Sequence, residues 1–148
     1  MSESLHPDTT AEKPIGMAVK AVILDAEGRC LLLRRSAANR GFVGYWEWPG
    51  GKPDPGEDFA TAVRREVREE SGLEVTLTGL AGASQFEVPA LRVILLCLLA
   101  RPAGGTLRLS HEHDAFAWVR LDELSQHKIL QPMEPVLKSL LERKESHA

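Results

Sequence analysis

The sequence is poor in cysteine, with only Cys30 and Cys97 among its 148 residues. Both lie inside apolar runs, and neither has a partner at Cys-x-x-Cys spacing, which argues against a zinc or redox site built on them. We therefore expect two buried free thiols in a reducing cytoplasm. The sequence also lacks the roughly 18 consecutive apolar residues that a membrane span needs. Met1–Lys13 lack the apolar core of a secretory signal, so we expect no membrane association.

Basic residues show no excess, since 18 Lys and Arg stand against 21 Asp and Glu, a net charge of -3. This balance argues against a stable complex with nucleic acid. A small phosphate-bearing substrate is still compatible with it when cations lie between protein and phosphate. The length and the 43% hydrophobic content predict one domain over residues 14–146, after a flexible tail over residues 1–13. A monomer and a homodimer both fit the sequence.

Extended apolar runs dominate the sequence, and one long helical pattern lies between them. Asp25–Gly28 joins the first two runs, which predicts a β-hairpin. Another turn is predicted at Pro102–Gly105, a short helix capped by Asp122, and a terminal helix over Val136–Lys144. Because strands outnumber helices and the main helix is central, we expect a mixed sheet with helices packed on it. The predicted strands are Ile15–Leu24, Arg29–Arg35, Trp46–Trp48, Leu73–Phe86, Leu91–Ala100, Thr106–Leu109 and Ala115–Leu121.

The central helix, predicted over Asp58–Ser71 and ended by Gly72, has an acidic core-facing side. At 100° per residue, Glu66, Glu69 and Glu70 fall in the same arc as the apolar residues. Like charges at this spacing repel, and carboxylates at a helix C-terminus oppose its dipole. A cluster of hard oxygen ligands suits Mg²⁺ or Mn²⁺. The alternative is a solvated acidic patch. The apolar residues of this arc are Phe59, Ala62, Val63 and Val67.

The residues around this helix form a longer pattern of nine positions over 23 residues. It resembles the complete signature of the Nudix hydrolases. The lead-in Trp46–Lys52 and the closing segment Glu112–Leu124 are similar to the MutT branch of that family. The nine positions are Gly51, Glu57, Arg65, Glu66, Val67, Glu69, Glu70, Gly72 and Leu73.

The resemblance implies a Nudix-type α/β/α sandwich, an α+β or α/β fold with a mixed central β-sheet and the signature helix packed on it. It also implies an enzyme that hydrolyses a nucleoside diphosphate linked to another moiety, using divalent cations. Glu66 and Glu69 are the implied catalytic carboxylates, and Arg65 would orient a signature carboxylate through a charge-assisted hydrogen bond. The implied metal ligands are Glu66, Glu69, Glu70, Glu57 directly or through water, and the Gly50 carbonyl.

One candidate lies outside the signature. A glutamate six residues before the tryptophan of the closing strand contributes to the metal site of MutT-like proteins, and Glu112 stands at that distance from Trp118. Glu112 is therefore a candidate metal ligand and catalytic residue. His111 and His113 could bind the metal or donate hydrogen bonds to its ligands, but we expect solvated loop histidines, because this chemistry prefers oxygen ligands.

Substrate contacts are predicted less directly. The resemblance favours Arg34, ahead of Arg35, as a contact to the substrate phosphates, and Trp46 could stack on a base. Met133 replaces the asparagine with which MutT reads its oxidised purine. Methionine offers no amide to a base edge, so 8-oxo-dGTP specificity is not expected. Further aromatic candidates are Trp48 and Phe116 for stacking, Phe42 and Tyr45 for a covering loop, with a core role open for Trp48 and Trp118.

The leading functional hypothesis is Mg²⁺-dependent hydrolysis of a (deoxy)nucleoside triphosphate to the monophosphate and pyrophosphate. ADP-ribose, other nucleotide sugars and dinucleoside polyphosphates are alternative substrates. A non-catalytic nucleotide-binding module is the alternative of another class. Such modules usually lose signature carboxylates, and this sequence keeps them.

Overall fold

A computed structural model describes residues 13–146, with side chains through Lys144. The strands are β1 (Ile15–Ile23), β2 (Arg29–Arg35), β3 (Trp46–Glu47), β4 (Gly50–Gly51), β5 (Leu73–Val88), β6 (Leu91–Gly105) and β7 (His113–Arg120). The α-helices are α1 (Phe59–Ser71) and α2 (Glu134–Ser146), and short 3₁₀ helices cover Leu121–Gln126 and Gln131–Met133. None of the helices among these residues has the length and apolar character that a membrane crossing requires.

The strands form two sheets that confirm the expected mixed architecture. A four-stranded sheet has the order β4-β1-β6-β5, in which β1 runs parallel to β6 and the other pairs are antiparallel. A three-stranded antiparallel sheet has the order β3-β2-β7. Its outer strand β3 places Glu47 directly before the turn that leads into β4.

Apolar residues cover both faces of the central strands, because side chains alternate between faces along a strand. In β1, Val19, Ala21 and Ile23 pack in the core cluster that contains the α1 residues. Val22 packs in the opposite cluster, which contains Val136 and other α2 residues. The two helices therefore lie on opposite sides of the strands, as in an α/β/α sandwich. Both cysteines are buried and free, as expected.

Three local predictions are wrong. The predicted hairpin is limited to its turn and one bridge between Leu24 and Cys30, since β1 and β2 belong to different sheets. Pro102–Gly105 continues β6, because the long β5 pairs with it as far as Leu73, and no strand follows over residues 106–109. Asp122 lies inside the first 3₁₀ helix and pairs with Arg120, so it does not cap a helix.

The remaining boundary differences are small. The terminal helix begins earlier than predicted, at Glu134. The predicted tail lies outside the described residues except for Lys13, whose Nζ is 3.0 Å from Glu87 Oε1.

Candidate active site

A cavity of about 560 Å³ opens beside the C-terminal half of α1. That volume suits a small-molecule ligand. Glu66 and Glu70 line it from α1, Gly50 and Gly51 from β4, and Glu112 from the loop before β7. Lys20 and Arg35 add positive charge from β1 and β2, and the apolar lining includes Ala18, Phe86, Leu130 and Pro132.

The capped ends and the buried face of helix α1 fix the positions of its two cavity carboxylates. Asp58 caps the N-terminus by accepting a 2.7 Å hydrogen bond from the Thr61 amide. Gly72 ends the helix in the left-handed conformation, at φ 76°. Between these ends, Val63 and Val67 are fully buried. Glu66 and Glu70 follow the same face, so the packing of the helix aims both carboxylates at the cavity.

Glu69 does not share that face, which corrects the predicted three-carboxylate arc. Its side chain is 58% exposed and does not line the cavity. Consecutive helical residues are about 100° apart, so Glu69 turns away where Glu70 turns inward. Glu69 Oε1 instead accepts a 3.1 Å hydrogen bond from Arg65 Nη1. Phe59, also predicted on the core side, is 47% exposed at the first turn of the helix.

Arg65 organises the signature carboxylates, as the resemblance implies. Its Nε and Nη2 donate to the two carboxylate oxygens of Glu57 at 2.8 and 2.9 Å. This hydrogen bonding with Arg65 holds the pKa of Glu57 at about 2. The Asp54 amide also donates to Glu57 Oε1, at 2.8 Å. Glu57 is therefore ionised and fixed against the start of α1, outside the cavity lining.

The two cavity carboxylates of α1 are poorly solvated. Burial raises the pKa of Glu70 to about 8, although Lys20 and a 3.1 Å hydrogen bond from the Gly50 amide oppose that rise. Burial also raises the pKa of Glu66, and the negative charges of Glu69 and Glu112 add to the effect. Binding of a cation to these oxygens would therefore stabilise the folded protein.

A buried ionic cluster lies next to these carboxylates. Glu47 is 5% exposed and accepts hydrogen bonds from Lys20 Nζ at 3.1 Å and Arg35 Nη1 at 3.1 Å. His113 Nε2 lies 2.8 Å from Glu47 Oε2. Burial of Glu47 is outweighed by these partners, Lys20 first, so the pKa of Glu47 falls to about 2. His113 is only 5% exposed, so its predicted place as a solvated histidine is wrong, whereas His111 is exposed as expected.

The three residues predicted to touch substrate lie outside the cavity lining. Arg34 pairs with Asp114 at 2.7 Å and stacks over Trp46, with 5.7 Å from its Cζ to the ring centroid. Adjacent strand residues face opposite sides, so Arg35 enters the cavity where Arg34 turns away. Met133 is 1% exposed and fills the core beside α2, so it presents no surface to a base.

Comparison with known proteins decides the family. A family model described as NUDIX domain matches residues 14–140. The chain is similar to CTP pyrophosphohydrolase of Escherichia coli, at 33% identity over 123 residues, covering 83% of this chain and 90% of that protein. This protein is a Nudix hydrolase. It is also 36% identical over 103 residues to the 8-oxo-dGDP phosphatase NUDT18 of Homo sapiens, covering 70% of this chain and 30% of that protein.

The fold agrees with this membership. The crystal structure of the MutT protein from Methanosarcina mazei Go1 superposes with a TM-score of 0.80 at 32% identity. The superposition covers 90% of this chain and 97% of that chain. The MutT-like branch inferred from the sequence is thus confirmed.

Nudix hydrolases generally use divalent metal ions, and the donors of this cavity fit such an ion in their chemistry. Glu66, Glu70 and Glu112 offer only oxygen atoms, which hard divalent cations prefer. The raised pKa values of the first two indicate carboxylates that lack sufficient positive charge nearby. Over residues 13–146, no three acidic, histidine or cysteine side chains already converge on one point. Binding of an ion would therefore draw these carboxylates together.

Several cavity residues escaped the sequence analysis. Lys20 could have been predicted from the sequence, because a lone charge inside an apolar strand needs a buried partner. Nothing in the sequence marked the cavity residues Asn39, Phe86 and Leu130. Each is ordinary for its segment, and only the fold brings it to the cavity. Phe42, expected in a covering loop, does line the cavity, and its ring meets Tyr45 at 5.3 Å. Trp48 is fully buried, which confirms its core role.

Proposed function

We propose that this Nudix hydrolase cleaves nucleoside triphosphates to the monophosphate and pyrophosphate, with Mg²⁺, in the cytoplasm. The observation that carries the proposal is the mixed lining of the cavity. Glu66 and Glu70 come from the side of α1, whereas Phe86 and Leu130 pack against the opposite core cluster. A nucleotide has the same division between a polyanion that needs cations and an apolar base.

The roles of the side chains follow from this placement. Glu66, Glu70 and Glu112 would hold the metal, with the Gly50 carbonyl as a further candidate. Divalent cations bound there would neutralise phosphate charge and activate a water molecule. Glu57 and Glu69 lie outside the cavity lining, and both accept hydrogen bonds from Arg65. They would add negative charge near the metal site.

Arg35 is the side chain best placed to meet substrate phosphates. Its Nη1 donates to Glu47, and its Nε donates to the Gly41 carbonyl at 3.1 Å. These contacts hold the guanidinium in the cavity, so little side-chain entropy is lost when a phosphate binds. The Lys20 side chain is only 14% exposed and pairs with Glu47. It is therefore less available than Arg35 to contact the substrate.

Relatives favour a triphosphate substrate. The Escherichia coli relative is named for the hydrolysis of CTP, and it matches 83% of this chain. The NUDT18 relative, named for 8-oxo-dGDP, matches 70%. Because Met133 is buried in the core, it gives no reason to expect or exclude an oxidised purine.

The test is a panel of nucleoside triphosphates, 8-oxo-dGDP, ADP-ribose and a dinucleoside polyphosphate, each incubated with protein and Mg²⁺. We expect turnover of at least one triphosphate, with pyrophosphate released in equal amount to the monophosphate, and no turnover in EDTA. Glu66→Gln should abolish it, and Glu123→Gln, an exposed carboxylate outside the cavity lining, should not. Release of inorganic phosphate only, or turnover of ADP-ribose only, would contradict the proposed reaction.

A further inference from the structure

The loop that carries Glu112, residues 110–112, is tied to neighbouring segments by several hydrogen bonds. Its first amide, that of Ser110, donates to the Glu70 carbonyl at 3.2 Å and so ties the loop to the end of α1. The Ser36 hydroxyl donates to the His111 carbonyl at 2.6 Å. These contacts bring the loop beside the acidic end of α1.

Two donors meet at the backbone carbonyl of Glu112 itself. Asn39 Nδ2 donates to this oxygen at 2.6 Å, and the Ser36 amide donates to it at 2.9 Å. The Asn39 amide in turn donates to the Ser36 carbonyl at 3.1 Å, which closes the turn that presents the side chain. Asn39 thus binds the backbone of Glu112 and not its carboxylate, which can face the cavity.

The residue after Glu112 is held from the other side. His113 points into the protein, with its side chain 2% exposed, and its Nε2 lies 2.8 Å from Glu47 Oε2. Glu47 is in turn bound to Lys20 and Arg35. His113 is the first residue of β7, so its contact with Glu47 fixes the end of the turn that carries Glu112.

We propose that Asn39 and His113 are positioning residues that together hold the backbone of Glu112, so that its carboxylate faces the cavity that Glu66 also lines. Both carboxylates line the cavity, and the charge of Glu112 acts on Glu66. Because the loop is already held in place, less conformational entropy is lost when substrate and cations bind. The inference rests on the proposed function for the role of Glu112, but the placement of the loop can be measured without turnover.

The first test compares Asn39→Ala with wild type. Loss of one hydrogen bond to a held carbonyl should lower kcat by about tenfold. The KM should change by less than about threefold, because the substrate contacts remain in place. In metal-free protein, hydrogen exchange of the Ser36 amide should accelerate by about fivefold to tenfold. His111→Ala, an exposed neighbour whose side chain lies outside the cavity lining, is the matched control and should leave all three values unchanged.

A double-mutant cycle separates positioning from general damage to the fold. If Asn39 acts through Glu112, then Asn39→Ala should cause no further loss of kcat in a Glu112→Gln background. For His113, the glutamine variant keeps a donor near Glu47 and should retain most of the activity, whereas His113→Leu should lose it. Direct Mn²⁺ binding, measured by calorimetry without substrate, should weaken in Asn39→Ala and His113→Leu and stay near wild type in His113→Gln.

The outcomes distinguish this inference from the proposed function. If wild type turns over nucleotides and Asn39→Ala keeps wild-type kcat, Mn²⁺ affinity and Ser36 exchange, the positioning role is wrong and the function stands. Equal losses from Asn39→Ala with and without Glu112→Gln would also overturn it. If wild type is inactive on every substrate, the proposed function fails, and unchanged exchange or Mn²⁺ affinity in Asn39→Ala would refute the positioning role separately.

Discussion

Glu70 offers the sharpest test of the electrostatics of the site, because it is the most buried carboxylate of α1. Glu70→Gln removes its charge and keeps its shape. The glutamine Oε1 can still accept the hydrogen bond that the Gly50 amide donates at 3.1 Å. The variant should therefore be more stable than wild type when no metal is present, although it should be inactive.

The expected gain depends on pH in a defined direction. Burial raises the pKa of Glu70 from 4.5 to about 8, so the folded state binds its proton more tightly than the unfolded state. The stability that this group contributes is full below its unfolded pKa and is lost as the pH rises through the folded value. Between pH 4.5 and pH 7 the loss grows by about 1.4 kcal/mol per pH unit, so at pH 7 it comes to between about 3 and 4 kcal/mol. The attraction between Glu70 and Lys20 opposes the rise in pKa and is already contained in this figure.

The assay is urea unfolding followed by tryptophan fluorescence, in EDTA, at several values between pH 4.5 and pH 8. The free energies of unfolding of wild type and Glu70→Gln should nearly coincide at the acid end and separate in favour of the variant toward neutral pH. Added Mg²⁺ should stabilise wild type more than the variant. Glu69→Gln is the matched control, and we expect no gain there because Glu69 is 58% exposed and paired with Arg65. A separation that does not vary with pH, or a variant less stable than wild type at pH 7, would refute the reasoning.

Four other substitutions test the geometry of the site. Gly51→Ala would place a Cβ against the Glu66 carboxylate, so we expect kcat to fall by about tenfold or more while the free energy of unfolding changes little; a wild-type rate would contradict this placement. Arg65→Lys keeps the charge but cannot pair with both carboxylate oxygens, so a loss in kcat on the order of tenfold should appear in steady-state kinetics. Arg35→Ala should raise KM by about tenfold, and Arg34→Ala should raise it much less, because only Arg35 lines the cavity; the reverse order in the same assay would show that the sequence-based preference was right.

The features that the sequence determined are those whose causes lie within a few residues of each other. Helix α1 is an example, since Asp58 caps it, Val63 and Val67 define its buried face, and Gly72 ends it. The apolar runs likewise indicated most of the strands. The signature pattern identified the family, and the resemblance to that family implied the pairing of Arg65 with a signature carboxylate.

Strand partners were not determined in this way. The turn at Asp25–Gly28 indicated that the chain reverses there, and a hairpin was the nearest explanation. Tertiary contacts instead pair β1 with β6 in parallel, from Ile15 opposite Arg92 to Ile23 opposite Ala100. Such long-range pairing depends on the burial of whole faces, which no local turn signal records.

The direction of individual side chains was also decided only by the tertiary structure. Arg34 and Arg35 are chemically alike and face opposite sides of β2, but the packing around the sheet decides that the side of Arg35 borders the cavity. His113 and Met133 were assigned to solvent and substrate, yet both are buried by elements distant in sequence. The sequence alone thus determined the chemical groups available to this Nudix hydrolase, because composition and spacing are local. Which of those groups meet in one cavity was decided by packing between distant segments.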